Sequence, residues 1–250
     1  MRFRMGMALA AATLLPLLAA PAAEATPSPG VTFEFSKGAR VDAGSKVTIN
    51  YSITNLPKGS HVELRRETGS SHTYKVINKL KAVSGKGSVT TTSPTQGRWG
   101  YRIFILNSKN QTLNYRGHWL YAYKNISLSK FFPRQYTSGA VTIGNRLLTY
   151  DVSADDQAWD VFATTRNNTC RSISLKLGSL NGYNTSVHRR VKVVQTNAAQ
   201  VSVNVPINVY TTLSAKLTGA PFGLHLDEDT SWYTDTYIGG TVSCYSPSGF

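Results

Sequence analysis

The stretch GRWGYRIFILNSKNQTLNYRGHWLYAY, residues 97–123, decides the fold. Trp99, Tyr101, Ile103 and Ile105 recur at every second position. After the polar break NSKNQ (107–111), Trp119, Tyr121 and Tyr123 share one phase and Leu120 and Ala122 the other. Side chains two apart lie on one face of an extended strand, whereas a helix repeats its apolar stripe about every 3.6 residues, so this stretch reads as two strands and a turn.

The same alternation extends upstream through VTFEFS (31–36), KVTINYSIT (46–54), HVELRRET (61–68), TYKVINKLK (73–81) and GSVTTTS (87–93). NLPKG (55–59), GSS (69–71) and SPTQG (93–97) punctuate these runs with turn formers. Seven short strands at this spacing predict an antiparallel sandwich over residues 31–124. With its GSKVTINYSITNLP strand and GRWGYRIFILNSKNQTL hairpin, the segment resembles a bacterial immunoglobulin-like domain, without the cysteine pair of antibody domains. The resemblance implies a fold and leaves function open, because sandwiches host many unrelated roles.

Between Lys124 and Gly139 the alternation lapses, and residues 125–139 read as a linker whose Phe131 and Phe132 pack on a neighbouring domain. Eight further strand-like runs follow: 140–153, 157–165, 170–178, 189–195, 200–207, 211–217, 222–227 and 237–245, with a hairpin at TNAAQ (196–200). They predict a second sandwich over 140–250, jelly-roll or again immunoglobulin-like. The outline TCRSISLKL…VKVVQ…FGLHL…GGTVSCYS resembles C-terminal β-sandwich domains of uncharacterised secreted proteins of actinobacterial type, and more loosely carbohydrate-binding accessory modules. The expected fold class is therefore all-β, two antiparallel sandwiches in tandem.

Residues 1–25, MRFRMGMALAAATLLPLLAAPAAEA, run from basic to apolar to small residues, the order of a secretory signal peptide. The apolar part is too short for a spanning helix, which needs roughly 20 residues, and Pro16 and Pro21 interrupt it. A secreted chain with two cysteines is expected to pair them, so Cys170 and Cys244 predict a disulfide between an early strand of the second domain and its last. The formal net charge of +14 favours polyanionic surroundings, anionic cell-wall polymers among them. No motif of a specific nucleic-acid module accompanies it.

The five histidines have no metal-ligand spacing, and HExxH, paired CxxC, P-loop and G-x-S-x-G patterns are absent from the sequence, so no metal, cofactor or catalytic residue is expected. The stretch HLDEDTSWYTDTY (225–237) gathers acids among aromatic residues in a chain otherwise poor in acids. Ring faces that stack on sugars beside carboxylates that accept hydroxyl bonds make Asp227, Asp229, Trp232 and Tyr233 candidate ligand contacts. A Ca²⁺ loop and a solvated loop whose acids pair with nearby bases are the other readings of this stretch. SADDQAWD (153–160) reads as a turn. Trp119, Tyr121 and Tyr123 are expected in the core or at a domain interface, with an exposed ligand platform as the alternative; Trp99 is expected in the core.

The function these features suggest is non-catalytic binding at or outside the cell surface, with a glycan or cell-wall polymer as ligand. A structural or protein-interaction module is the alternative, and a small secreted hydrolase with an unrecognised site is a third.

Overall fold

The computed structural model describes residues 27–68, 73–131, 138–154, 159–162, 169–181, 188–196, 198–218, 221–227 and 234–245. The leader at 1–25 and Phe132 lie outside the described residues. The chain is all-β and sandwich in architecture.

The first half supplies β1 (Gly30–Phe35), β2 (Arg40–Asp42), β3 (Lys46–Thr54), β4 (His61–Thr68), β5 (Thr73–Leu80), β6 (Gly85–Thr92), β7 (Gly97–Leu106) and β8 (Thr112–Ser127). Sheet order β1-β3-β6 faces β5-β4-β7-β8, and short β2 runs parallel to β8. Alternation drives this arrangement. Val31, Phe33 and Phe35 from β1, Val47, Ile49 and Ile53 from β3, and Tyr101, Ile103 and Ile105 from β7 meet in one buried cluster, with Trp99 partly buried against it.

The second half supplies β9 (Gly139–Ile143), β10 (Arg146–Tyr150), β11 (Val152–Ala154), β12 (Trp159–Phe162), β13 (Thr169–Asn181), β14 (His188–Gln195), β15 (Val201–Pro206), β16 (Thr211–Lys216), β17 (Phe222–Leu226) and β18 (Thr234–Tyr245). Strands β16-β13-β18 cover the sheet β12-β17-β14-β15. Between them, Ile173, Leu175, Val191, Val193, Phe222, Leu224 and Val242 form a second core. The run 140–153, expected as one strand, is three: Gly144 at φ 60° turns the chain back into the β9–β10 hairpin, and β11 then leaves it to pair with β18. The β14–β15 hairpin stands where TNAAQ placed it.

Cys170 and Cys244 form the expected disulfide between directly opposed residues of neighbouring strands β13 and β18. Arg171 is extra in the ladder there: the register shifts between Cys170 and Ser172. Such a bulge re-aims a side chain.

The two halves share a sheet. The segment read as a linker starts inside β8, where Lys124–Ser127 pair with Thr241–Cys244 of β18 and carry the order β16-β13-β18-β8-β7-β4-β5 through both cores. A 3-10 turn at Leu128–Lys130 follows, and Leu128 and Phe131 are buried in the second core, Phe131 against Phe222. Among the described residues no helix is long and apolar enough to cross a membrane.

Candidate functional site

The outer face of β5-β4-β7-β8 departs from the polar surface that alternation leads one to expect. Leu120 and Ala122 take the core side of β8. The opposite phase therefore points outward and brings Tyr115, Gly117 and Trp119 beside Phe104, Arg102 and Gly100 of β7 in direct register. Tyr115 is 51% exposed and Trp119 37%. Of the three aromatic residues expected in the core or at an interface, Trp119 is thus at the surface, while Tyr121 and Tyr123 lie 5.0 and 5.3 Å from the Tyr245 ring, where the two halves meet.

Two glycines give this face its shape. A Cβ on Gly100 would stand 2.6 Å from Glu67 Oε2, 2.9 Å from Tyr74 Oη and 3.1 Å from the Trp119 ring, so these three groups converge over bare backbone. At Gly117 a Cβ would meet Arg102 Cγ at 3.0 Å, so the arginine stem lies flat there. A glycine inside a strand marks such a close approach. Tyr74, Tyr115, Trp119 and Arg102 surround a hollow of about 190 Å³ floored by the two glycines.

Arginines are stacked on the rings. The Arg102 guanidinium lies 4.3 Å from the Tyr74 centroid and 5.0 Å from that of Tyr115, and Arg98 lies 4.2 Å from Trp119. Arg65 sits 4.6 Å from Phe104, which stacks on Tyr115 at 5.4 Å. Glu63 accepts from Arg65 at 2.7 and 2.8 Å, which neutralises that cation. Burial pushes the Tyr74 phenol above its usual range; Arg102 pulls it down, while Glu67 and Tyr115 add to the rise, so the hydroxyl remains protonated and able to donate.

A larger concavity of about 580 Å³ spreads over the opposite sheet, lined by Thr32, Glu34, Asn50, Ser52, Lys86 and Ser88 among others. Its lining includes Tyr51, whose ring overlies Gly87, but among the described residues no arginine stacks on that ring. The smaller hollow combines aromatic rings, a phenol and a planar cation, which together can meet a flat apolar ring and exchange hydrogen bonds with hydroxyls.

Asp227 lies far along the chain from this face, at the end of β17, and its carboxylate is occupied. Lys192 Nζ donates to Oδ1 at 2.5 Å, His225 Nε2 is 2.8 Å from the same oxygen, and Arg190 Nε is 3.9 Å from Oδ2. Buried Arg189 donates to the Asp227 backbone carbonyl at 3.2 Å. Burial raises the Asp227 carboxyl, but the bonds and charges of Lys192 and His225 outweigh it and hold the group below its ordinary value. These contacts tie β17 to β14. Asp229, Trp232 and Tyr233 lie outside the described residues, as do Asp155 and Asp156. Among the described residues no group of three His, Cys, Asp or Glu side chains can hold a metal ion.

No family model matches the chain, and no curated protein matches it either. Among solved structures, tripeptidyl peptidase 2 aligns with 87% of this chain at 7% identity and a TM-score of 0.29. A SusE-like protein aligns with 86% at 8% identity and TM-score 0.24, over 96% of its own length. An uncharacterized Listeria monocytogenes protein, solved in complex with α-D-glucose, β-D-glucose, magnesium and calcium, aligns with 82% at 10% identity and TM-score 0.26. The chain spans only 20% of the first and 19% of the third. Likenesses at this level say nothing about what the chain does.

Sequence reasoning missed Tyr74, Gly100, Arg102, Tyr115 and Gly117 as a group. The legible signal was the pair of glycines, each flanked by aromatic and arginine residues inside otherwise regular strands: RWGYR (98–102) and YRGHW (115–119).

Proposed function

We propose that this protein is a non-catalytic, extracellular polysaccharide-binding protein, and that the outer face of β5-β4-β7-β8 is its principal site. The observation that carries the reading is the convergence of Tyr74, Trp119 and Glu67 over Gly100, with Tyr115 and Arg102 completing the hollow. The exposed parts of Tyr115 and Trp119 offer ring surface to sugar faces, and the arginine edges and the Tyr74 phenol exchange hydrogen bonds with hydroxyls. The disulfide and the basic-apolar-small leader support an extracellular location. The strand order of the first half, with β2 parallel to β8, supports its resemblance to an immunoglobulin-like sandwich. The stretch with Asp229, Trp232 and Tyr233, which lies outside the described residues, is together with Asp227 a proposed second contact surface.

The test is retention of the protein on insoluble cell wall, chitin, cellulose and an anionic resin at low and high salt. Retention on one polysaccharide at high salt, lost in Trp119→Ala and Tyr115→Ala, supports the reading. Loss only in Trp232→Ala moves the site to the stretch around that residue. Retention on every anionic matrix at low salt alone overturns it, because screening of net charge then accounts for the binding.

A further inference from the structure

We infer that the ligand of this face is an anionic polysaccharide, an extended chain with an oxyanion on spaced sugars, and that Arg98 and Arg102 are its two anion contacts. The inference rests on the polysaccharide reading above and narrows it to one chemical class.

Net charge alone does not choose a location for an anion; the local pairing does. Arg65 on this face is committed to Glu63. Among the described residues no carboxylate stands within ion-pair distance of Arg98 or Arg102, and neither guanidinium donates a hydrogen bond. Each instead lies on aromatic faces, Arg98 on Trp119 and Arg102 on Tyr74 and Tyr115. Stacking fixes the plane and leaves the edge donors free, in the fork that matches a carboxylate, sulfate or phosphate. These are two preoriented anion contacts without an anion partner of their own.

Their separate platforms suit a ligand of more than one unit. Four residues at about 3.3 Å rise put the backbone positions of Arg98 and Arg102 roughly 13 Å apart along one face of β7, and the first guanidinium lies over Trp119, the second over Tyr74 and Tyr115. Glu67, over Gly100 between them, is only 5% exposed and so offers a ligand little surface. A chain with a charge on every unit and no sugar ring, such as polyphosphate, pairs with the arginines but brings no ring to the exposed parts of Trp119 and Tyr115. A chain whose anions are separated by hydroxyl-bearing rings meets both arginines and sets its rings against Trp119 and Tyr115.

The experiment measures binding of the full chain to polygalacturonate, its methyl ester, galacturonic acid and polyphosphate at near-physiological salt. Expected is binding to polygalacturonate at least about tenfold tighter than to the ester, as suits charge-assisted bonds to guanidinium. The monomer should bind far more weakly than the polymer. Arg98→Gln and Arg102→Gln should each lose most of that preference, and Arg102→Lys should recover only part. Lys46→Gln/Lys86→Gln removes two charges from the opposite sheet and should change binding less than about twofold, because screened distant charges contribute little. Equal binding of the ester overturns the anion contacts and leaves polysaccharide binding standing. An equal loss in the lysine control, or polyphosphate binding as tight as polygalacturonate, also overturns the inference. No binding to any polymer by folded protein overturns both readings.

Discussion

Arg171 of β13 reaches across the junction between the two cores and pairs with the carboxylate of Asp42 in β2. The bulge that makes Arg171 extra in the ladder lets it do so. Its Nε donates to Ser243 Oγ at 3.1 Å, and its guanidinium lies 4.5 Å from the Tyr123 centroid. Gln96 adds a bond at 3.0 Å to the Cys244 carbonyl. The junction is thus polar and aromatic, at the point where β18 joins β8. The Asp42 side chain is 74% exposed, so the ion pair itself adds little. Arg171→Ala is expected to cost about 1–2 kcal/mol through the lost stack and the Ser243 bond, and Asp42→Asn less than about 1. Urea unfolding of the three proteins checks the order; equal losses would place the stabilisation in the ion pair.

Removing the disulfide should cost more. The crosslink spans a sequence separation of 74, for which loop-closure entropy gives roughly 4 kcal/mol as an upper figure. Cys244 also stands opposite Lys124, at the end of the β18–β8 ladder. Cys170→Ser/Cys244→Ser is therefore expected to lose about 2–4 kcal/mol. Amide exchange should speed up first at 241–244 and 124–127. Unchanged exchange there, with stability reduced, would mean that the bridge constrains only the unfolded chain.

Alternation made the strands legible because each long strand buries one face. It did not reveal which face of β8 is inside: Trp119 and Leu120 are both apolar, and only the pairing of β8 with β7 over the first core turns Leu120 inward. Arg40–Asp42 escaped notice because a three-residue parallel strand has no period to read. The continuous sheet was hidden for a different reason. It rests on pairing between residues more than a hundred positions apart, Lys124 with Cys244, and nothing local in KNIS (124–127) records its partner.

Gly100 supplies a test that separates site shape from stability. A methyl group there would collide with Glu67 Oε2, Tyr74 Oη and the Trp119 ring, all outer ends of side chains that can move. Gly100→Ala is expected to keep the fold, at a cost under about 2 kcal/mol, while polymer binding falls at least about tenfold. Gly117→Ala lifts the Arg102 stem and should weaken binding in the same direction. Unaltered binding in both, measured by titration calorimetry, would place the ligand elsewhere.

Acid should act through Asp227. Burial raises its carboxyl, but Lys192 and His225 outweigh it and hold the folded-state pKa below the usual aspartate value. The unfolded chain therefore binds this proton more readily than the folded one, and stability rises with pH through that window. The contribution is present above the unfolded value and is lost as pH falls through the folded one. Asp227→Asn removes it, so the variant should be less stable than the parent near neutrality and converge with it in strong acid. If the ionised carboxylate serves the β17–β14 contact alone, polysaccharide binding at neutral pH should be unchanged. Urea midpoints from pH 2 to 7 for both proteins decide the first point: parallel curves would mean that the Lys192 and His225 contacts do not stabilise the ionised form. A parallel binding assay decides the second. Lost affinity in a folded Asp227→Asn variant would return this residue to the ligand site.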